Sequence, residues 1–85
     1  MSVTNPLGLH ARAAAQLVRV ASQFKSNIMI VRRDTNAFAN AKSILSILTL
    51  AASVGTSLHL TADGGDAEEA LSTLTDLFIR GFGEI

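Results

Sequence analysis

Eighty-five residues make a single domain, 1–85, because a second core would need more chain than this. Hydrophobic residues are 48% of the sequence and charged residues 16%, enough apolar material for a packed core and too little charge for intrinsic disorder. The lack of cysteine excludes disulfide frameworks, thiol catalysis and cysteine-based zinc sites, two distant histidines (His10 and His59) predict no metal site, and zero net charge is not the broad basic surface of a general nucleic-acid binder.

Ser2-Val3-Thr4 reads as a short strand stopped by Asn5-Pro6, where proline cannot donate to a ladder. Leu7-Gly8-Leu9-His10 is a loop. Over residues 11–23, Ala14, Leu17, Val18 and Ala21 recur at helical spacing while Arg12, Gln16 and Arg19 take other faces, which predicts an amphipathic helix starting right after His10. Residues 27–32 are β-branched and bounded by polar residues, Arg33-Asp34-Thr35-Asn36 supplies turn chemistry, and residues 37–41 form a weak returning strand. Ser43 can cap a short helix with Ile44, Ile47, Leu48 and Ala51 as its buried stripe, and Gly55 ends that region. Residues 57–62 alternate, with Leu58, Leu60 and Ala62 on one face and Ser57, His59 and Thr61 on the other. After Gly64-Gly65, Asp66 and Glu69 make a capping-box-like start to a helix that buries Ala67, Ala70, Leu71, Leu74, Leu77 and Phe78, with Gly81 as its C-terminal cap. The expected order is βαββαβα, an α+β fold in which a sheet is covered by helices on one face.

The neutral total hides a division. Residues 1–42 hold six basic residues (Arg12, Arg19, Lys25, Arg32, Arg33, Lys42) against Asp34, a net +5; residues 43–85 hold Arg80 against six acids, a net −5. Such a chain can present a basic face to an anion or an acidic partner. The most apolar run, residues 44–54, is broken by Ser46, Thr49 and Ser53 and is too short to span a bilayer, so membrane insertion is not expected. The N-terminus lacks the pattern of a signal peptide, and a cytoplasmic location is expected.

His10 is the residue with chemical promise. It stands at a helix start, where backbone N–H groups lack helical partners and the dipole favours anions. A phosphate there would meet the amides of Ala11 and Arg12 and the guanidinium fork of Arg12. A neutral imidazole nitrogen is a competent nucleophile near pH 7, and a nitrogen–phosphorus bond is labile enough for onward transfer. On these residues alone, a helix cap or an ordinary surface histidine remains the commoner reading of such a position. His59 reads as a solvent-facing sheet residue, and the four phenylalanines are too scattered for a base-stacking platform.

Asn5-Pro6-Leu7-Gly8-Leu9-His10-Ala11-Arg12 resembles the active-site signature of the HPr family, phosphocarriers of the phosphoenolpyruvate-dependent phosphotransferase system. Asn40-Ala41-Lys42-Ser43-Ile44-Leu45 resembles that family's second signature, and the likeness continues through Gly55 and residues 66–71 to Gly81-Phe82-Gly83-Glu84. The resemblance implies an open-faced β-sandwich, a four-stranded antiparallel sheet covered on one face by three helices. It implies that His10 is phosphorylated on Nδ1 by phospho-enzyme I and donates to an EIIA-type protein, with Arg12 managing the phosphate charge. The chain would then be a stoichiometric carrier and not an enzyme, without cofactor or metal of its own, working as a monomer. Ser43 matches a serine that an HPr kinase/phosphorylase modifies in some bacteria, and is equally an ordinary helix cap. The helix after it matches an apolar docking patch, so Ile44, Leu45 and Leu48 would supply contact area, with Arg19 and Lys42 steering encounter.

Three departures from the family pattern stand out. Ala13 replaces a proline common after the arginine, Ser46 and Ala51 replace glycines usual in sugar-system carriers, and the hairpin at residues 28–40 is about two residues longer than in many of them. The longer hairpin, the Leu-Thr-Leu-Ala-Ala run at 48–52 and the ending with Leu77-Phe78 and Gly81-Phe82 lean toward proteobacterial carriers and partly resemble NPr, the paralogue of the nitrogen-related phosphotransfer chain. A docking paralogue that transfers no phosphate is a further alternative, which retention of His10 opposes. An RNA-binding module is disfavoured because GXXG and RNP-type features are missing.

Overall fold

The computed structural model describes residues 1–4 and 7–83. In chain order these form α1 (Ala11–Ala21), β1 (Asn27–Arg32), β2 (Phe38–Asn40), α2 (Ile44–Thr49), β3 (Leu58–Asp63) and α3 (Ala67–Ile79). β1 is the central strand, antiparallel to β2 on one side and β3 on the other. Ile30 stands opposite Ala39 and Leu60, and Val31 opposite Phe38 and His59. Since side chains alternate along a strand, Ile28, Ile30, Ala39, Leu58 and Leu60 turn to the core, while Val31, Phe38 and His59 share the open face. All three helices lie over the first face and supply Leu17, Ile47, Leu74 and Phe78, each fully buried, to a single hydrophobic cluster. The protein is an α+β domain with helices on one side of an antiparallel sheet.

The first strand is reduced. Ser2 makes one antiparallel bridge with Ser57, and Met1 and Val3 add hydrogen bonds to residues 55–58, so the segment continues the sheet beyond β3 without becoming a regular fourth strand. Asn5 and Pro6, expected to stop this strand, lie outside the described residues, together with Glu84 and Ile85.

Two local expectations are overturned. The stripe of α2 is not Ile44, Ile47, Leu48 and Ala51: Ile47 and Leu50 are buried, whereas Ile44, Leu48 and Ala51 are exposed. Six helical residues make less than two turns, so only a side chain or two from the helix can reach the core, and a periodicity argument has too little to average over. Asp66 is the N-cap of α3 by position, yet its side chain makes no capping bond. Its carboxylate instead accepts from the amides of Lys25 (2.8 Å) and Ser26 (3.0 Å) and from the hydroxyl of fully buried Ser26. The acid thus fastens the segment before β1 to the start of α3. At the other end of α3 the expected cap is present, with Gly81 at φ +59 just after Arg80.

These hydrogen bonds, led by the one from Ser26, hold the Asp66 carboxyl below its usual range. Its folded pKa is therefore lower than its unfolded one, near 4. The unfolded chain then binds the extra proton in acid, and this contribution is present above about pH 4 and is lost as pH falls through the folded value. Urea midpoints measured across pH should show Asp66→Asn less stable than wild type at neutral pH, with the gap narrowing below about pH 4. A constant gap would show that the carboxylate charge is not what fastens the segment.

Candidate functional site

His10 caps α1. Its backbone is extended (φ −75°, ψ −180°), its carbonyl accepts the first helical hydrogen bond from Ala14 at 2.8 Å, and its Nδ1 accepts the Arg12 amide at 3.3 Å. A nitrogen that accepts must carry a lone pair, so the hydrogen bond assigns the proton of a neutral ring to Nε2 and the lone pair to Nδ1. The first-turn amides of Ala11 and Ala13 have no acceptor within the helix by position. Arg12 is exposed beside them.

The loop before His10 is pressed against the segment after α2. The Leu9 amide donates to the Ala52 carbonyl at 2.8 Å, and both residues are buried. Gly8 has φ +66°, and a Cβ there would lie 2.5 Å from the Ala52 oxygen and 2.8 Å from Ser53 Cα. Only glycine combines that backbone conformation with that approach. The supporting segment has a conformation of its own: Ala51 has φ +51°, and the carbonyls of Leu50 and Ala51 accept from Arg32 Nη1 at 2.8 and 3.2 Å.

The other candidate residues divide between the two ends of the α1–α2 pair. Lys42 Nζ donates to the Phe24 carbonyl at 2.7 Å, just past the C-terminus of α1, whereas Ala52 meets Leu9 at its N-terminus. The two helices pack together, and α2 therefore starts near the end of α1 and finishes near its beginning. Eleven residues of α1 at 1.5 Å each put about 16 Å between His10 and the end where Ser43 stands. Ser43 caps α2, its hydroxyl accepting the Ser46 amide at 3.3 Å. Ser46 in turn accepts the Asn40 amide on its hydroxyl at 3.0 Å, so the serine found in place of a family glycine ties α2 to β2. Ala51, the other replacement, occupies a conformation suited to glycine, and its consequence is in the backbone. Of the expected contact residues, Leu45 is 78% exposed, Ile44 and Leu48 partly so, and Arg19 stands exposed in the last turn of α1.

The PTS-HPr family model, described as "PTS HPr component phosphorylation site", matches residues 1–80. The chain belongs to the HPr family. It is 44% identical to the phosphocarrier protein HPr of Neisseria meningitidis (serogroup A) over 84 residues, 99% of this chain and 92% of the relative. The fold agrees as closely: an HPr structure from Thermoanaerobacter tengcongensis superposes with a TM-score of 0.94 at 44% identity, covering 100% of this chain and 93% of that one. A second structure from that organism, described as an HPr dimer, gives a TM-score of 0.82 over 99% of this chain and 94% of that one. The chain is thus an HPr-type phosphocarrier of the phosphotransferase system, with the fold expected of the family.

Two contributors to the site are not evident from the sequence. The close approach of Gly8 to Ala52 has a weak signal, a glycine two residues before a helix cap, but nothing in the chain names the partner backbone. Arg32 has no signal at all, being one of six basic residues in its half of the chain.

Proposed function

We propose that this HPr-family carrier accepts a phosphoryl group from phospho-enzyme I on Nδ1 of His10 and passes it to an EIIA-type acceptor. The observation that carries the reading is the hydrogen bond from the Arg12 amide to Nδ1, which keeps a lone pair on that nitrogen at the positive end of α1. In the transfer, the Nδ1 lone pair attacks phosphorus while the bond from phosphorus to its donor atom breaks, the electron pair staying with the donor. The proton on Nε2 is not involved. Once Nδ1 is bonded to phosphorus, the Arg12 amide has lost its acceptor and can turn to a phosphoryl oxygen, joined by the Ala11 amide and the Arg12 guanidinium. The acceptor protein reverses the step. His10 is modified stoichiometrically, so the chain is a carrier whose catalysts are its partners.

Docking in this reading uses the exposed side chains of α2, Ile44, Leu45 and Leu48, with Arg12, Arg19 and Lys42 steering an acidic partner surface. Ser43, at the remote end, is the candidate for modification by an HPr kinase/phosphorylase. No helix among the described residues is long and apolar enough to cross a membrane, and the reading places the work in the cytoplasm. One copy docks at a time, and sedimentation distinguishes this from a dimer of the kind formed by the T. tengcongensis protein.

The test is incubation with enzyme I, magnesium and phosphoenolpyruvate, followed by intact mass before and after acid. The protein should gain one acid-labile phosphoryl group and lose it to an EIIA-type acceptor; no gain with a cognate enzyme I defeats the proposal. Arg12→Ala should still be phosphorylated, but with kcat/KM reduced on the order of 10²-fold, the usual effect of removing one group that stabilises transition-state charge. An unchanged rate would assign phosphate stabilisation to the backbone alone.

A further inference from the structure

Resting on the carrier reading, the structure assigns Arg32 a place in phosphoryl transfer: we propose that it is a positioning residue, holding the segment against which the His10 loop is set. Arg32 ends β1 on the helix-facing side, opposite Leu58, with its side chain only 22% exposed. Its guanidinium is used on every side. Nε and Nη2 form a fork on the two carboxylate oxygens of Asp34, at 2.7 and 3.1 Å, while both Nη1 bonds go to the carbonyls of Leu50 and Ala51. The fork is reflected in the titration of both groups, Asp34 held below the usual carboxylate range and Arg32 raised.

The segment needs such a partner. α2 is six residues long, has no basic residue in its last turn, and runs directly into Ala51 at φ +51°. An L-residue there is strained relative to the right-handed region. The last carbonyls of a helix also lack helical donors. A cation that donates to the C-cap carbonyl of Leu50 and to the carbonyl of Ala51 just beyond it satisfies both, pins the backbone on either side of the strained φ, and stabilises the negative end of the helix. Asp34 fixes the plane of the guanidinium, so the donors arrive in a defined direction.

What Arg32 holds is one residue from the wall of the site. Ala52 follows Ala51, accepts the Leu9 amide, and leaves no room for a Cβ on Gly8; Leu9 is bonded to His10. The connection is therefore continuous from Arg32 through residues 50–52 to Leu9 and the nucleophile. Arg32 touches neither His10 nor the phosphate, so its effect is on where Nδ1 stands and not on the chemistry at phosphorus.

The test compares wild type with Arg32→Ala, Arg32→Lys, Asp34→Asn and the double variant Arg32→Ala/Ala51→Gly. Initial rates of phosphorylation by enzyme I are measured against carrier concentration, alongside hydrogen exchange of the Leu9 amide. Arg32→Ala should lower kcat about tenfold while KM stays within about twofold, as displacement of a reacting group does without loss of docking. Its Leu9 amide should exchange faster. Arg32→Lys, which replaces a fork by a point charge, should fall between, and Ala51→Gly should restore most of the loss because glycine adopts φ +51° unaided. Wild-type kcat and Leu9 exchange in Arg32→Ala would overturn the proposal, as would a loss confined to KM, which would make Arg32 a docking residue. Should Arg32→Ala not fold, Asp34→Asn and Arg32→Lys carry the same comparison, and wild-type values in both would overturn it. A wild-type chain that takes no phosphate defeats the carrier reading instead, and Leu9 exchange alone then decides whether Arg32 holds the loop.

Discussion

His10→Ala should fold and gain no phosphoryl group from enzyme I and phosphoenolpyruvate. The imidazole is half-buried and accepts a capping bond at 3.3 Å, so its removal takes away little packing. Loss of an N-cap acceptor costs about 0.5–2 kcal/mol, which a fold anchored by buried Leu9, Ala13, Ala14 and Leu17 can sustain. The loss of function is expected to be complete because neither amide donors nor a guanidinium can form the bond to phosphorus. His10→Asn sharpens the comparison, since asparagine is a good cap and is not a phosphoryl acceptor of this kind. It should match wild type in thermal midpoint and His10→Ala in phosphorylation. Equal mass gain in wild type and His10→Ala would move the acceptor elsewhere in the chain. The same experiment addresses Ser43, because a kinase and ATP should add an acid-stable phosphate that survives in His10→Ala and disappears in Ser43→Ala.

Gly8→Ala should have the second largest effect, on stability and transfer together. At φ +66° a side chain costs about 1–2 kcal/mol. The added Cβ also meets the Ala52 oxygen at 2.5 Å and Ser53 Cα at 2.8 Å, which are backbone atoms and cannot rotate away. The loop has to lift from residues 52–53, and the Leu9–Ala52 hydrogen bond lengthens with it. A total loss of about 2–3 kcal/mol follows, within the range of single substitutions that strain a special backbone position. In a domain of this size that lowers the thermal midpoint by about 10–20 °C. Because Leu9 carries His10, transfer should slow on the order of 10²-fold while the histidine remains competent, the penalty expected for misplacing a reacting group by about 1 Å. Gly65→Ala is the control, since a Cβ there meets nothing within 4 Å. Similar behaviour of the two variants would mean that loop position does not set the rate.

Elements with a long periodic pattern were legible from sequence, and so was the phosphocarrier family. α1 and α3 run 11 and 13 residues with strong one-sided burial, and β1 is a β-branched run in the middle of the sheet. α2 was legible in its existence and in its Ser43 cap but not in its buried face, because six residues leave the choice to tertiary contacts such as Ser46 with Asn40. Asp66 shows another limit: a capping-box pattern reports that an acid stands at a helix start, and here the amides of Lys25 and Ser26, forty residues earlier, bind it first. In the site, His10 and Arg12 lie in a contiguous signature. Their support from Ala52 and Arg32 comes from segments joined only by the fold, and no local pattern announces it.

The opposed ends of the α1–α2 pair decide how two phosphates could influence one another. With about 16 Å between them, His10 and Ser43 are separated by about two Debye lengths at physiological ionic strength. Direct repulsion between a phosphoserine and an incoming phosphoryl group is therefore mostly screened by salt while the protein is free in solution. If both residues carry phosphate, any interference between them would have to arise in a complex, where a partner that covers both ends expels the intervening ions and meets one charge while reaching for the other. Ser43 modification should then be felt as a property of each partner's footprint, strong for proteins that lie along both helices and slight for those that grip only the end bearing His10.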